Sequence, residues 1–67
     1  MKLIDSKCVG YPGKFLRTWL ANNEDDITSD FDPESVEGSM IMVISTGAMY
    51  IKNCDGKWQK YGTSEVI

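Results

Sequence analysis

The chain has no histidine, one arginine (Arg17), two cysteines and two prolines in 67 residues. Without histidine, neither a serine nor a cysteine has the imidazole base that activates such nucleophiles, so no enzyme is expected. Two cysteines with no histidine leave a structural zinc site short of ligands, and no metal is expected. One arginine and a net charge of -3 supply no basic face for phosphates, so nucleic acid is not the expected partner. Neither a GxGxxG fingerprint nor a P-loop occurs, and no cofactor is expected. Cys8 and Cys54 form no CxxC. They could pair if the N-terminal segment lies near the last hairpin, but reduced thiols are the expectation without a secretory signal. The start, MKLIDSKC, has no apolar core long enough for a signal peptide or a membrane span, so a soluble intracellular chain with no membrane partner is expected.

What is present is 42% apolar residues and seven aromatics: Tyr11, Phe15, Trp19, Phe31, Tyr50, Trp58 and Tyr61. A single domain of this length buries only about 60% of its unfolded surface. Such domains usually gain stability from disulfides, metals or oligomerisation, and oligomerisation is the expectation here.

The organising stretch is 38–61, GSMIMVISTGAMYIKNCDGKWQKY, which reads as three strands and two glycine turns. Met40 to Ser45 is an apolar run rich in β-branched residues, expected to be covered on both faces. Gly47 supplies the positive φ for a reversal. Along 48–53, Ala48, Tyr50 and Lys52 share one face, and Met49, Ile51 and Asn53 the other. Asp55-Gly56 predicts a type I′ hairpin turn, with φ > 0 at both residues. In 57–61, Trp58 shares a face with Lys60, and Tyr61 lies opposite.

Upstream, 1–13 reads as an arm or edge strand ending in the turn Gly10-Tyr11-Pro12-Gly13, where Pro12 and Gly13 suit type II geometry. Residues 14–22, KFLRTWLAN, fit two readings. Phe15, Leu16, Trp19 and Leu20 would line one face of a helix. In a strand, Phe15, Arg17 and Trp19 would face one way and Leu16, Thr18 and Leu20 the other. The preceding Pro-Gly turn and the missing N-cap favour the strand. Residues 23–37 hold seven of the ten acids and read as a long acidic loop. Ile27 and Phe31 would pin it to the sheet, and Asp32 would cap a single helical turn at 33–36. Residues 62–67 form a tail that could add a strand. The expected fold is therefore all-β: a small antiparallel meander of three to four strands with a long acidic connection.

Asp26, Asp30 and Asp32 are closely spaced oxygen donors, but the EF-hand glycine and closing glutamate are missing, and a solvated loop is the better reading. Trp19, Trp58 and Tyr50 could form a platform for a sugar or a proline-rich peptide, but core packing is the simpler role. Met40, Met42 and Met49 are expected to fill core gaps or an interface.

Residues 38–58, GSMIMVISTGAMYIKNCDGKW, resemble a hairpin of small structural proteins of tailed bacteriophages and prophages, including head-decoration and head-fibre proteins. Its marks are Glu-Gly-Ser, an apolar strand, Thr-Gly, an aliphatic-Tyr-aliphatic strand, a glycine turn and Lys-Trp. YPGKFLRTWLAN followed by an acidic loop is similar to the front half of such proteins. Cys54 departs from the small polar residue usual at that turn. The resemblance implies a non-enzymatic virion protein, made in the host bacterial cytoplasm, that binds itself and other capsid, neck or tail proteins. The expected core and subunit contact are Phe15, Leu16, Trp19, Leu20, Ile41, Val43, Tyr50, Ile51 and Trp58, with Gly47, Asp55 and Gly56 as turn residues. The alternative is a small peptide- or carbohydrate-binding β module.

Overall fold

The computed structural model describes residues 1–10 and 13–67. The chain is all-β, with five strands in one sheet in the order β1-β2-β3-β4-β5. They are β1 (Lys2–Gly10), β2 (Lys14–Ala21), β3 (Met40–Val43), β4 (Met49–Lys52) and β5 (Trp58–Lys60). Tyr11 and Pro12 of the expected first turn lie outside the described residues, and Gly13 beyond them has φ +67°.

The sheet is mixed rather than wholly antiparallel, and it has one strand more than the sequence suggests. Residues 14–21 are strand, not helix, and β2 runs parallel to β3 with Trp19 opposite Ile41 and Ala21 opposite Val43. Parallel neighbours need a crossover of a dozen or more residues. Residues 22–39 provide it, so the connection is long enough to permit the parallel pair. That connection is not an open acidic loop. It starts with a single 3-10 turn, Glu24–Asp26, then crosses one face of the sheet and buries Ile27. It returns beside β2, where the Phe15 N–H donates to Glu34 O (3.1 Å) and the Val36 N–H to Phe15 O (2.8 Å). The helical turn expected at 33–36 is instead a tight turn closed by Ser35 N–H to Asp32 O (3.1 Å). Ser35 bridges to Phe15 in parallel, which commits this segment to the sheet edge rather than to a helix.

The core lies between the inner face of the sheet and this crossover. Ala21, Ile27, Ile41, Val43, Tyr50 and Trp58 are its buried apolar residues, with Trp19, Phe31 and Ala48 packed against them. Phe31 meets Trp19 edge-on at 4.9 Å between ring centroids and Trp58 at 6.2 Å. The Trp58 indole N–H donates to Phe31 O (2.9 Å), so the largest buried side chain also fastens the crossover.

Both hairpins of the second half form, with adjusted turns. Gly47 has φ +71°, and its N–H donates to Val43 O (2.9 Å), so β3 ends at Val43 rather than at Ser45. The turn at 54–56 is not type I′: Gly56 has φ +75°, whereas Asp55 is not in the positive-φ region. Gly56 N–H donates to Asn53 O (3.0 Å), and the Asn53 side-chain oxygen accepts from the N–H groups of both Asp55 and Lys57 (3.0 Å each). This is a three-residue loop, a type I turn followed by a left-handed glycine, and Asn53 selects it over the two-residue alternative.

Cys8, on β1, and Cys54, in the β4–β5 turn, belong to opposite ends of the strand order, and both are free and exposed.

Candidate functional site: the uncovered face of the sheet

Strand alternation assigns each side chain to a face. The register places Thr18 opposite Met40, Leu20 opposite Met42, Met42 opposite Met49 and Met40 opposite Ile51. These residues, with Leu16, form the outer face, away from the crossover. Leu16 is 40% exposed and Met42 37%, whereas Ile41 and Val43, which alternate with the outer-facing Met40 and Met42, are buried. The apolar run of β3 is therefore covered on one face only. One crossover cannot cover both sides of a sheet, and the chain has no second layer among its described residues.

Toward one end of this face, Leu20, Met42, Ile44, Gly47 and Met49 line a shallow hollow. Ile44, just beyond β3, is 60% exposed, and Tyr61, just beyond β5, is 69% exposed. Flexible, polarisable methionines at the centre of an exposed apolar patch suit a surface that adapts to another protein.

The expected core and contact residues thus divide. Ile41, Val43, Tyr50 and Trp58 are in the inner core, with Trp19 half-buried beside them. Leu16, Leu20 and Ile51 belong to the outer face, and half-buried Phe15 lies at the inner edge under the Arg17 guanidinium, 4.3 Å from the ring centroid. Trp58 and Tyr50 are too buried to form an exposed aromatic platform.

The inner side holds a polar cluster that sequence reading missed. Asp32 Oδ1 accepts from Arg17 Nη1 (2.6 Å), and Oδ2 accepts from the Trp19 indole N–H (2.9 Å). Its side chain is only 6% exposed, and its backbone has φ +49°. Lys52 Nζ donates to Asp32 O (2.9 Å) and to Ser35 Oγ (3.1 Å), and lies 5.2 Å from the Trp58 ring centroid. Burial pushes the Lys52 pKa down, Asp32 opposes that shift, and Lys14 adds to it. Every buried side-chain nitrogen or oxygen among the described residues has a partner. Asp32 is thus a fixed anchor that ties the crossover to β2, and its oxygens are already engaged. The one signal for this in the sequence was the chain's single arginine in an apolar strand, a charge that needs a carboxylate when partly buried.

Tyr50 is pushed above its ordinary pKa, first by burial and then by neighbouring Glu24. The Cys54 thiol is also raised, chiefly by hydrogen bonding to Glu37. No family model matches the chain, and no curated protein or solved structure matches it.

Proposed function

We propose that this chain is a non-enzymatic structural protein of a bacteriophage or prophage virion, a capsid-decoration or head-fibre-like component. It works by associating with itself and by binding other virion proteins. The observation that carries the associative role is the outer face, where Leu16, Leu20, Met40, Met42, Met49 and Ile51 form an apolar surface over which no second layer lies among the described residues. The hairpin likeness over residues 38–58 supports the virion setting. The outer face would contact a shell or tail protein, and the inner face would supply only stability.

The test is mass spectrometry of virus particles purified after induction of the source cell. The chain is expected in many copies per particle. Particles that form without it would remove the virion role. Met42→Lys, a charge at the centre of the outer face, is expected to abolish incorporation while leaving the fold intact by circular dichroism.

A further inference from the structure

β1 is the longest strand of the sheet, and it contributes nothing to the core. Lys2 to Val9 are all exposed, including Leu3, Ile4 and Val9 at 41–50%. Its far side is an edge. The opposite edge, on β5, is occupied: Val66 bridges Gln59, the Lys60 N–H donates to Glu65 O (2.8 Å), and the Ile67 N–H donates to Trp58 O (3.0 Å). Among the described residues no segment lies along β1 beyond β2. A long open edge is a template for another strand.

The sequence of β1 says which strand fits. Register shifts lie between Leu3 and Asp5 and between Cys8 and Gly10, which leaves Asp5–Cys8 as the regular run. In that run Asp5 and Lys7 share the outer face, and Ser6 and Cys8 the inner, as their partners Thr18, Leu16, Arg17 and Phe15 require. We infer that β1 pairs antiparallel with β1 of a second copy about a two-fold axis at Ser6. Directly opposite residues then share a face. Asp5 of each copy meets Lys7 of the other, Ser6 meets Ser6, and Leu3 and Ile4 come opposite Val9 and Cys8. Shifting the axis to Asp5 would set two aspartates face to face, and shifting it to Lys7 would set two lysines face to face. Charge therefore favours the Ser6 register over these two, because like charges directly opposite destabilise a strand pair. Within the regular run it is also the one register with opposite residues on a common face that sets Asp5 against a lysine. The register shifts on either side stop the pairing from slipping.

The two-fold axis stands perpendicular to the sheet, so two five-stranded sheets join into one and their outer apolar faces lie on the same side. A doubled docking surface follows. The inference rests on the self-association part of the proposed function and names the edge through which it occurs.

The experiment uses the full chain with Cys8→Ser and Cys54→Ser. Ser6→Cys in that background is expected to form a disulfide-linked dimer on mild oxidation at low micromolar concentration, whereas Lys2→Cys, far from the axis, is expected to dimerise without forming the cross-link. In sedimentation velocity, Asp5→Lys is expected to weaken the dimer about tenfold, and Asp5→Lys with Lys7→Asp to restore it. Circular dichroism confirms that each variant is folded, since β1 is exposed. A dimer that ignores both charge changes and gives no Ser6→Cys cross-link overturns the β1 pairing while self-association through another surface survives. A chain that stays monomeric overturns the pairing and the self-association together. The particle mass spectrometry then reports separately on the virion role.

Discussion

Replacing Asp32 probes how the crossover is held. Its two carboxylate oxygens bind Arg17 at 2.6 Å and the Trp19 indole at 2.9 Å, in a site where the Asp32 and Arg17 side chains are 6% and 16% exposed. Asp32→Ala leaves a mostly buried guanidinium and an indole N–H without their acceptor. Removing one member of a buried pair costs about 3–5 kcal/mol, and the residual exposure of Arg17 lowers this to about 3 kcal/mol. The left-handed backbone, φ +49°, adds about 1 kcal/mol for alanine. Asn tolerates that backbone and keeps one acceptor oxygen, so Asp32→Asn loses roughly half as much. Asp32→Gly removes the backbone strain but supplies no acceptor and falls between the two. A domain of this size has about 3–10 kcal/mol in total, so the alanine variant is close to unfolded. Urea denaturation followed by tryptophan fluorescence reads the series, because both Trp19 and Trp58 pack against Phe31. With a denaturant slope of about 1 kcal/mol/M, the midpoint drops by about 3–4 M for alanine, if a folded baseline remains. The expected order is wild type, Asn, Gly, Ala. An alanine variant as stable as the asparagine variant would refute the reasoning, since the acceptor oxygens would then contribute nothing.

Trp58→Ala removes a side chain with no exposure and orphans the Phe31 carbonyl. The loss is about 3–5 kcal/mol, enough to give an unfolded circular dichroism spectrum at 37 °C, and a folded, soluble variant would remove Trp58 from the core. Gly56→Ala meets no atom within 4 Å, so its cost is backbone alone at φ +75°, about 1 kcal/mol by thermal unfolding. Lys52→Met tests the lowered lysine pKa. Between the folded value and the ordinary 10.5, the unfolded chain binds more protons, so Lys52 makes stability rise with pH through that window. Tyr50, raised above 10.0, gives the opposite slope, but it is present in both proteins and cancels in the difference. Stability of the wild type relative to Lys52→Met is expected to climb as pH approaches 10.5; a flat or falling difference would contradict the burial of that ammonium.

The strand pattern of 38–61 was legible because period-two alternation and glycine turns are local properties. They set Ile41 with Val43, Tyr50 with Lys52 and Trp58 with Lys60 on one face of each strand, and the pairing of Ile41 with Tyr50 and of Lys52 with Trp58 joins these into a single face. Gly47 and Gly56 were legible as turn points for the same reason, though the turn type at 54–56 depended on the Asn53 side chain rather than on the Asp-Gly pair. Residues 14–21 carried two periodicities at once; the Pro-Gly pair in the sequence and the missing N-cap favoured the strand, and pairing with β1 and β3 bears that out.

Tertiary structure alone decided three further things. The parallel β2–β3 pair depends on where an 18-residue connection returns, and local propensity carries no information about that direction. The role of Asp32 depends on Arg17 and Trp19, which are 15 and 13 positions away. In the sequence it read as a helix cap or a solvated charge, and nothing local marked it among the seven acids of its segment as the partner of Arg17. The division of the apolar residues into a covered and an uncovered face also belongs to the folded chain. Alternation says that Ile41 and Met42 point to opposite sides, but which side the crossover covers is set by where Ile27, Phe31 and Asp32 dock.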